Sequence, residues 1–597
     1  MKQTSVPPVV AAKPDYNVTD LLEERFSLTP DLAIFAVPAG DGWRNLTVAE
    51  FRAEVIALAK GFIAQGIEPG DRVGFMSRTR YEWTLVDFAL WYAGAVMVPI
   101  YETSSALQVQ WILEDAGATA FLCEHSEHFA RFAEVHDTLP LITKHWRIDA
   151  GALDTLKAAG AEISDDTVMQ RRQQATGEDL ATLIYTSGSF GRPKGCFLTH
   201  SNFVELSRNT FVSLTEIFSQ PEAGTILFIP LAHVFARFIS VLCVYGGVRV
   251  GHAEPSNLLP AFESFRPTFL LAVPRVFEKV YNGAEQKAEG DGKGKIFRAA
   301  AKTAVQYSKA LDKGKVPLPL MLRFKLFDKL VFSKLRSRLG GRVNYAVSGS
   351  APLSTYLGHF YRALGIKILE GYGLTETTAP LSVNMPQKFK VGTVGPVLPG
   401  TSVRISEEGE ILVKGVGVFK GYWKNEELTK EVFTPDGYFH TGDLGELDSD
   451  GYIRITGRKK EIIITAGGKN VAPAVLEDPI RANTIIGYPV VVGEKRPFIA
   501  ALITLDPEML PTWLQNNGED PNMSLAEAAK NPKVIAEVQR SVDEANAFVS
   551  RAESIRKFTI LPVEFTEAAG HLTPKMSIKR ANILKDFSAE IGEIYGD

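Results

Sequence analysis

Three cysteines in 597 residues leave no basis for a disulfide framework. Cys123, Cys196 and Cys243 stand far apart and lack the paired spacing of a metal site, so they read as reduced thiols. No apolar run reaches the roughly 18 residues of a membrane-spanning helix. Residues 1–15 hold prolines and scattered lysines but no apolar stretch of a secretory signal. Neither sign of charge dominates: the net formal charge is −4, which gives no electrostatic reason to hold nucleic acid. These absences leave a cytoplasmic enzyme as the expectation. The length exceeds what one hydrophobic core organises, so two or more domains are expected.

What is present is organised around Leu183-Ile184-Tyr185-Thr186-Ser187-Gly188-Ser189-Phe190-Gly191-Arg192-Pro193-Lys194-Gly195. An apolar strand breaks into hydroxyl residues and glycines, whose backbone can turn tightly and bring N–H groups to an anion. Thr186, Ser187 and Ser189 add hydroxyls and Lys194 a mobile cation. This is a phosphate cradle by composition, although Gly195 after the lysine separates it from the Walker A loop.

Upstream, strand and helix patterns alternate, as in a parallel sheet covered on both faces. Thr47 and Glu50 form a capping box for a helix over 48–65, Asp71–Met76 and Val96–Ile100 read as strands, and Trp83–Ala93 as a helix. Asn202 with Glu205 marks a further helix start. An apolar strand then ends in Pro230-Leu231-Ala232-His233-Val234-Phe235-Ala236-Arg237. Residues 281–342 carry about ten more basic than acidic residues, with Phe324, Leu326, Phe327, Leu330 and Val331 among Arg323, Lys325, Lys329 and Lys334. That segment reads either as a solvated helix pair or as a surface for anionic lipid headgroups.

Further on, a strand ends in Gly349-Ser350-Ala351, small enough for a flat ring to lie on the backbone. Glu370-Gly371-Tyr372-Gly373-Leu374-Thr375-Glu376-Thr377 offers a ring, a hydroxyl and a hard oxygen ligand suited to Mg²⁺ beside phosphates. Residues 391–457 alternate short strands and glycines, predicting a small β-rich subdomain that contains Thr441-Gly442-Asp443. Gly457-Arg458-Lys459-Lys460 and the glycine loop Gly467-Gly468-Lys469 follow.

The order Thr-Ser-Gly-x-x-Gly-x-Pro-Lys-Gly, the block GYGLTET and the Thr-Gly-Asp triplet resemble the adenylate-forming enzymes, and PLAHxFxR resembles their long-chain fatty acid–CoA ligases. Phe190 departs from the usual loop, where a hydroxyl stands. The resemblance implies an α/β enzyme: a large N-terminal domain (1–458) of parallel sheets flanked by helices plus the β-rich subdomain, and a small mobile α/β C-terminal domain (459–597). It implies ATP, Mg²⁺ on Glu376, CoA as co-substrate and a fatty acid. Nucleotide contacts are implied for Thr186, Ser187, Gly188, Ser189, Gly191, Lys194, Gly349, Ser350, Ala351, Glu370, Gly371, Tyr372, Gly373 and Thr375. Asp443 and Arg458 would hold the ribose, Lys460 would be the pivot, and Gly467 and Gly468 would swing over the site. His233 would line the acyl pocket.

The catalytic set implied is Thr186, Glu376, His233 and a lysine near the C-terminus. In Leu572-Thr573-Pro574-Lys575-Met576-Ser577-Ile578-Lys579 the expected lysine position holds Ser577, leaving Lys579 and Lys575 as candidates, the former preferred. The expected location is cytoplasmic, and the sharper of the two readings of 281–342 adds contact with an anionic inner membrane face. An acyl-AMP ligase serving a carrier protein, a weakly active nucleotide-binding homologue, and a ligase of shorter or aromatic acids stay open as alternatives.

Overall fold

The computed structural model describes residues 2–40, 42–186, 192–573 and 576–596. Apolar runs too continuous for a half-exposed sheet, such as Val96–Ile100, form strands buried on both faces. A seven-stranded sheet runs in the order 421–422, 194–199, 180–186, 96–100, 72–76, 120–123, 144–147. Its centre is parallel, and its antiparallel end is the hairpin Leu180–Thr186/Lys194–Thr199. Two four-stranded sheets join it. In one, Gly224–Leu227 lies beside Arg249–His252 and then the 33–39/42–47 hairpin; in the other, Phe269–Leu271, Tyr345–Ser348 and Lys367–Leu374 run parallel before Ala379–Val383 turns back.

The expected β-rich subdomain is a five-stranded antiparallel sheet of Thr401–Ile405, Glu410–Gly415, Phe439–Leu447, Ile453–Arg458 and, unexpectedly, Gln3–Val6. The next residues are strapped to the helix His200–Ser213. Val9 N–H donates to Asn209 Oδ1 at 2.8 Å, Lys13 N–H to Glu205 Oε1 at 2.8 Å, and Arg208 Nη1 to the Ala11 carbonyl at 2.7 Å. These buried polar side chains therefore satisfy chain contributed from far away in sequence.

The helix Val48–Ala64 carries the predicted capping box, with Thr47 and Glu50 exchanging hydrogen bonds. The next predicted cap is corrected. The helix begins at His200, Thr199 is its cap with Asn202 as the reciprocating residue, and Glu205 serves the N-terminal strap instead. Both polar pairs have legal capping spacing, and only the backbone angles at Thr199 decide between them.

Residues after Ile463 form their own apolar clusters around a three-stranded sheet, Ile486–Val492, Ile499–Leu505 and Ile555–Leu561. This smaller α/β domain meets the larger one through polar pairs. Arg275 binds Asp506, Lys279 Nζ lies 2.6 Å from Glu508 Oε2, Asn516 Nδ2 donates to Gln286, and Thr103 donates to Glu567 at 2.5 Å. No helix among the described residues is long and apolar enough to cross a membrane.

Candidate active site

Thr186 and Lys194 face each other as partners of the antiparallel strands Leu180–Thr186 and Lys194–Thr199. Ser187, Gly188, Ser189 and Gly191 lie outside the described residues. The flanks are held by aromatic residues. Trp111 Nε1 donates to the Pro193 carbonyl at 2.8 Å, the Arg192 guanidinium lies 4.5 Å over the Trp111 ring, and Trp423 N–H donates to the Gly195 carbonyl at 2.8 Å. A Cβ on Gly195 would stand 3.1 Å from the Tyr185 ring, so the residue after Lys194 has little room for a side chain. Tyr185 in turn donates to Asp115.

Tyr422 joins Lys194 to the GYGLTET block. Lys194 Nζ lies 5.4 Å from the Tyr422 ring centroid, and the Tyr422 hydroxyl donates to Glu376 Oε1 at 2.9 Å. Burial, then the Glu376 charge, raises the Tyr422 hydroxyl far above its ordinary range, so it remains a donor. Glu376 sits on a short turn, Thr375–Thr377, followed by Thr378 and Ala379 at φ of 56° and 89°. Such left-handed angles on side-chain-bearing residues cost about 1–3 kcal/mol each and persist only where packing enforces them. Here Thr377 Oγ1 accepts from Leu374 N–H and donates to the Ala379 carbonyl. Gly373 is required: a Cβ there would lie 1.8 Å from the Ala379 oxygen.

Three motifs converge beside this turn. The Tyr372 hydroxyl donates to Asp443 Oδ2 at 2.7 Å, and Arg458 Nε donates to Asp443 Oδ1 at 2.8 Å. Asp443 and Arg458 are direct cross-strand partners, while Tyr372 arrives from another sheet. Burial and the Asp443 charge push the Tyr372 phenol up.

On the far side of the same strand, Gly349 faces the Gly371 carbonyl and the Phe235 ring, and Ser350 Oγ lies 3.3 Å from His233 Nε2. Ser350 holds φ 69°, a third strained position at this site. Ala351 follows in the same loop, and Gly371 belongs to the strand Lys367–Leu374. Glu370 points at backbone: it accepts the N–H groups of Leu353 and Gly392, holding the end of the 349–353 loop.

Burial lifts the Glu370 carboxyl from 4.5 to about 8, against those two hydrogen bonds, so its proton favours the fold. That contribution is complete below about pH 4.5 and is lost as pH rises through about 8. Glu370→Gln keeps an acceptor without the charge. It should flatten the alkaline fall in stability, gaining about 2–4 kcal/mol over wild type above that pH. Melting curves at stepped pH read this, and parallel curves for the two proteins would disprove it.

The remaining predicted groups lie on the smaller domain. Lys460 occupies the turn Lys459–Glu461 immediately after Arg458, and Gly467 and Gly468 form the exposed turn between Ile463–Ile464 and Asn470–Val471, Gly468 at φ 75°. Lys579 precedes the helix Arg580–Asp586, its N–H on the His571 carbonyl at 2.7 Å. Lys575 lies outside the described residues.

Sequence reasoning missed Tyr422, Trp423, Trp111 and Asp115. Gly421-Tyr422-Trp423 was legible only as another aromatic pair, because nothing local says that it forms the edge strand beside Lys194–Thr199. Among the described residues, the one cluster of metal-type side chains is Glu124, His125 and His128. Its carboxylate is already held by Arg78 and Arg80. Glu376 stands elsewhere, one carboxylate joined through Tyr422 to Lys194. That donor set suits Mg²⁺, which takes one or two carboxylates and completes its shell with phosphate oxygens and water.

A family model described as AMP-binding enzyme matches residues 22–423, and one for the AMP-binding enzyme C-terminal domain matches 460–597. The chain belongs to the AMP-binding enzyme family. It is 47% identical over 599 aligned residues, covering all of both chains, to the long-chain-fatty-acid–CoA ligase FadD15 of Mycobacterium tuberculosis. It is 30% identical, over 98% of this chain and 85% of the relative, to the long-chain-fatty-acid–CoA ligase ACSBG2 of Xenopus laevis. The adenylation domain of a Segniliparus rugosus carboxylic acid reductase, solved with AMP and a co-purified carboxylic acid, shares the fold. Its TM-score is 0.75 at 20% identity, over 98% of this chain and 95% of that one. A Mycobacterium tuberculosis fatty acyl CoA synthetase also matches, with TM-score 0.62 and 21% identity over 96% and 99%. An AMP-binding enzyme of two α/β domains, large then small, is therefore what the sequence resemblance led us to expect.

Proposed function

We propose that this AMP-binding enzyme is a long-chain fatty acid–CoA ligase. A carboxylate oxygen of the fatty acid attacks the α-phosphorus of ATP, the bond to the β-phosphate oxygen breaks, and pyrophosphate leaves. The CoA thiol, losing its proton, then attacks the acyl carbon, and AMP departs. The observation that carries this reading is the end-to-end identity of 47% to a curated long-chain ligase. A carrier-protein acceptor or a protein without turnover has no comparable support.

In this reading Asp443 and Arg458 receive the ribose, exchanging part of the present Tyr372–Asp443–Arg458 hydrogen bonding for sugar hydroxyls. Tyr372, between Gly371 and Gly373, lies along the base together with Gly349, Ser350 and Ala351. Thr186, Lys194 and the hydroxyls of Ser187 and Ser189 hold the phosphates, and Thr375 adds a further hydroxyl. Mg²⁺ on Glu376 supplies charge neutralisation to those phosphates when bound. Tyr422 orients the Glu376 carboxylate for that use. His233 stands where the acyl carboxylate enters. We place the domain boundary at 458/459 and the pivot at Lys460, so that the Gly467–Gly468 turn and the terminal lysine exchange places between steps. The exposed ion pair Lys279–Glu508 between the domains suits a contact that must break repeatedly. The reading places the enzyme in the cytoplasm, drawing acid from an anionic lipid face through 281–342.

Asp443→Ala should raise KM for ATP, lowering kcat/KM about ten- to hundredfold, the worth of charge-assisted hydrogen bonds to the sugar. An unchanged KM would remove Asp443 from the ribose. The test of the whole reading is a panel of acids of increasing chain length incubated with ATP, with and without CoA. Pyrophosphate release and acyl-CoA formation should peak at long chains. Release without thioester, or no release, refutes a ligase.

A further inference from the structure

The helix Leu318–Phe327 is unusual for its composition: mostly apolar, it contains no buried residue. Its side chains divide into two rows. One row attaches it to the preceding helix Gly294–Asp312. Phe324 stacks on Tyr307 with ring centroids 4.0 Å apart, and Arg323 donates to Thr303 and Gln306. The other row is Leu318, Leu322, Leu326 and Leu330, spaced four residues apart and 62%, 59%, 57% and 50% exposed. Residues four apart form a continuous ridge along an α-helix, here about 12 Å from Leu318 to Leu326, and Leu330 continues it on the π-helical turn Asp328–Phe332. Single exposed leucines need no explanation, but an aligned row of four does.

The charge around the ridge has one sign. From Lys313 to Phe327 the chain holds Lys313, Lys315, Arg323 and Lys325 and no acidic residue. The acids that bound this stretch are taken: Asp312 pairs with Arg362, and Asp328 with Arg336. Lys325 and Lys329, both exposed, each precede a ridge leucine. On the neighbouring helix, exposed Lys302 and Lys309 share by helical period the face of Gln306, which meets Arg323.

We propose that this leucine ridge inserts into the interfacial layer of an anionic lipid bilayer, with the flanking lysines on the headgroups. Leucines on one row and lysines beside them are the arrangement of helices that lie in a membrane surface. A second copy is the poorer occupant, because two such faces would bring like charge against like. The inference rests on the fatty acid–CoA ligase reading only for its purpose, the capture of an acid already dissolved in the bilayer.

Flotation of the full chain, without ATP, acid or CoA, tests it. The chain should float with vesicles of equal parts phosphatidylcholine and phosphatidylglycerol about tenfold more than with phosphatidylcholine alone, and less as salt rises. The double variants Leu322→Gln/Leu326→Gln and Lys325→Glu/Lys329→Glu should each lower the bound fraction about tenfold with an unchanged melting temperature. Wild-type protein left unbound by the mixed vesicles at low salt overturns the proposal, as do variants that float like wild type. Sedimentation of wild type as a dimer that the leucine variant splits assigns the ridge to a second copy and also overturns it. Because no substrate is present, either result stands apart from whether the chain ligates acids.

Discussion

Lys579→Ala, or failing that Lys575→Ala, lowers acyl-adenylate formation about 10²–10³-fold, the usual loss when one donor to developing transition-state charge is removed. Transfer of a pre-formed acyl adenylate to CoA should change little, because in the proposed mechanism that step uses the other orientation of the small domain. The reason is positional. Arg580, next to Lys579, binds both carboxylate oxygens of Glu477 at 2.7 Å and the Val491 carbonyl at 2.9 Å. The bridge between Leu572 and Ile578 closes the preceding loop. Lys579 is therefore held firmly on the small domain. A cation at a helix start is slightly unfavourable, so Lys579→Ala removes charge without loosening the segment. Pyrophosphate release and thioester formation, assayed separately, give the two rates. If neither variant separates them, the lysine assignment is wrong.

Arg237→Met destabilises the large domain by about 3–5 kcal/mol, the cost of leaving a buried charge without its partner. Arg237 is fully buried. Its Nε and Nη2 bind the two oxygens of Asp87, and Nη1 donates to Thr182 Oγ1 in the strand Leu180–Thr186. Its guanidinium also lies 5.4 Å and 5.1 Å from the rings of Trp83 and Trp91. Burial pushes the Asp87 carboxyl above its usual range while the guanidinium pulls it back. Asp87→Leu combined with Arg237→Met should recover most of the loss, since two well-packed apolar side chains leave no charge stranded. Urea unfolding of the single and double variants measures both terms. A double variant as unstable as the single one would show that packing, rather than the ion pair, sets the cost.

That pair also marks a limit of sequence reading. In PLAHVFAR the arginine was visible as part of a family signature, but nothing in its neighbours tells that it crosses the core to Asp87 on another helix. The N-terminal strand is a second case. Gln3–Val6 has no strong β pattern, and becomes a strand because the edge of Thr401–Ile405 offers unpaired backbone groups. The basic segment is a third. Phe324 and Leu326 are indistinguishable as apolar residues, yet one stacks on Tyr307 and the other faces outward, a division set by which row the neighbouring helix covers. Capping at Thr47 was readable because Thr47 and Glu50 complete it within three residues.

The chain by itself determined its alternation of strands and helices, its two-domain scale and the chemical kind of each motif, because hydrophobic period, capping and glycine placement act over a few residues. Only the tertiary structure decided that Tyr372, Asp443 and Arg458 share hydrogen bonds, that Tyr422 links Lys194 to Glu376, and that Arg237 is buried while four leucines are not. Those outcomes depend on which sheet edges and helix faces meet across the fold, and such meetings are settled by packing between segments that carry no local record of one another.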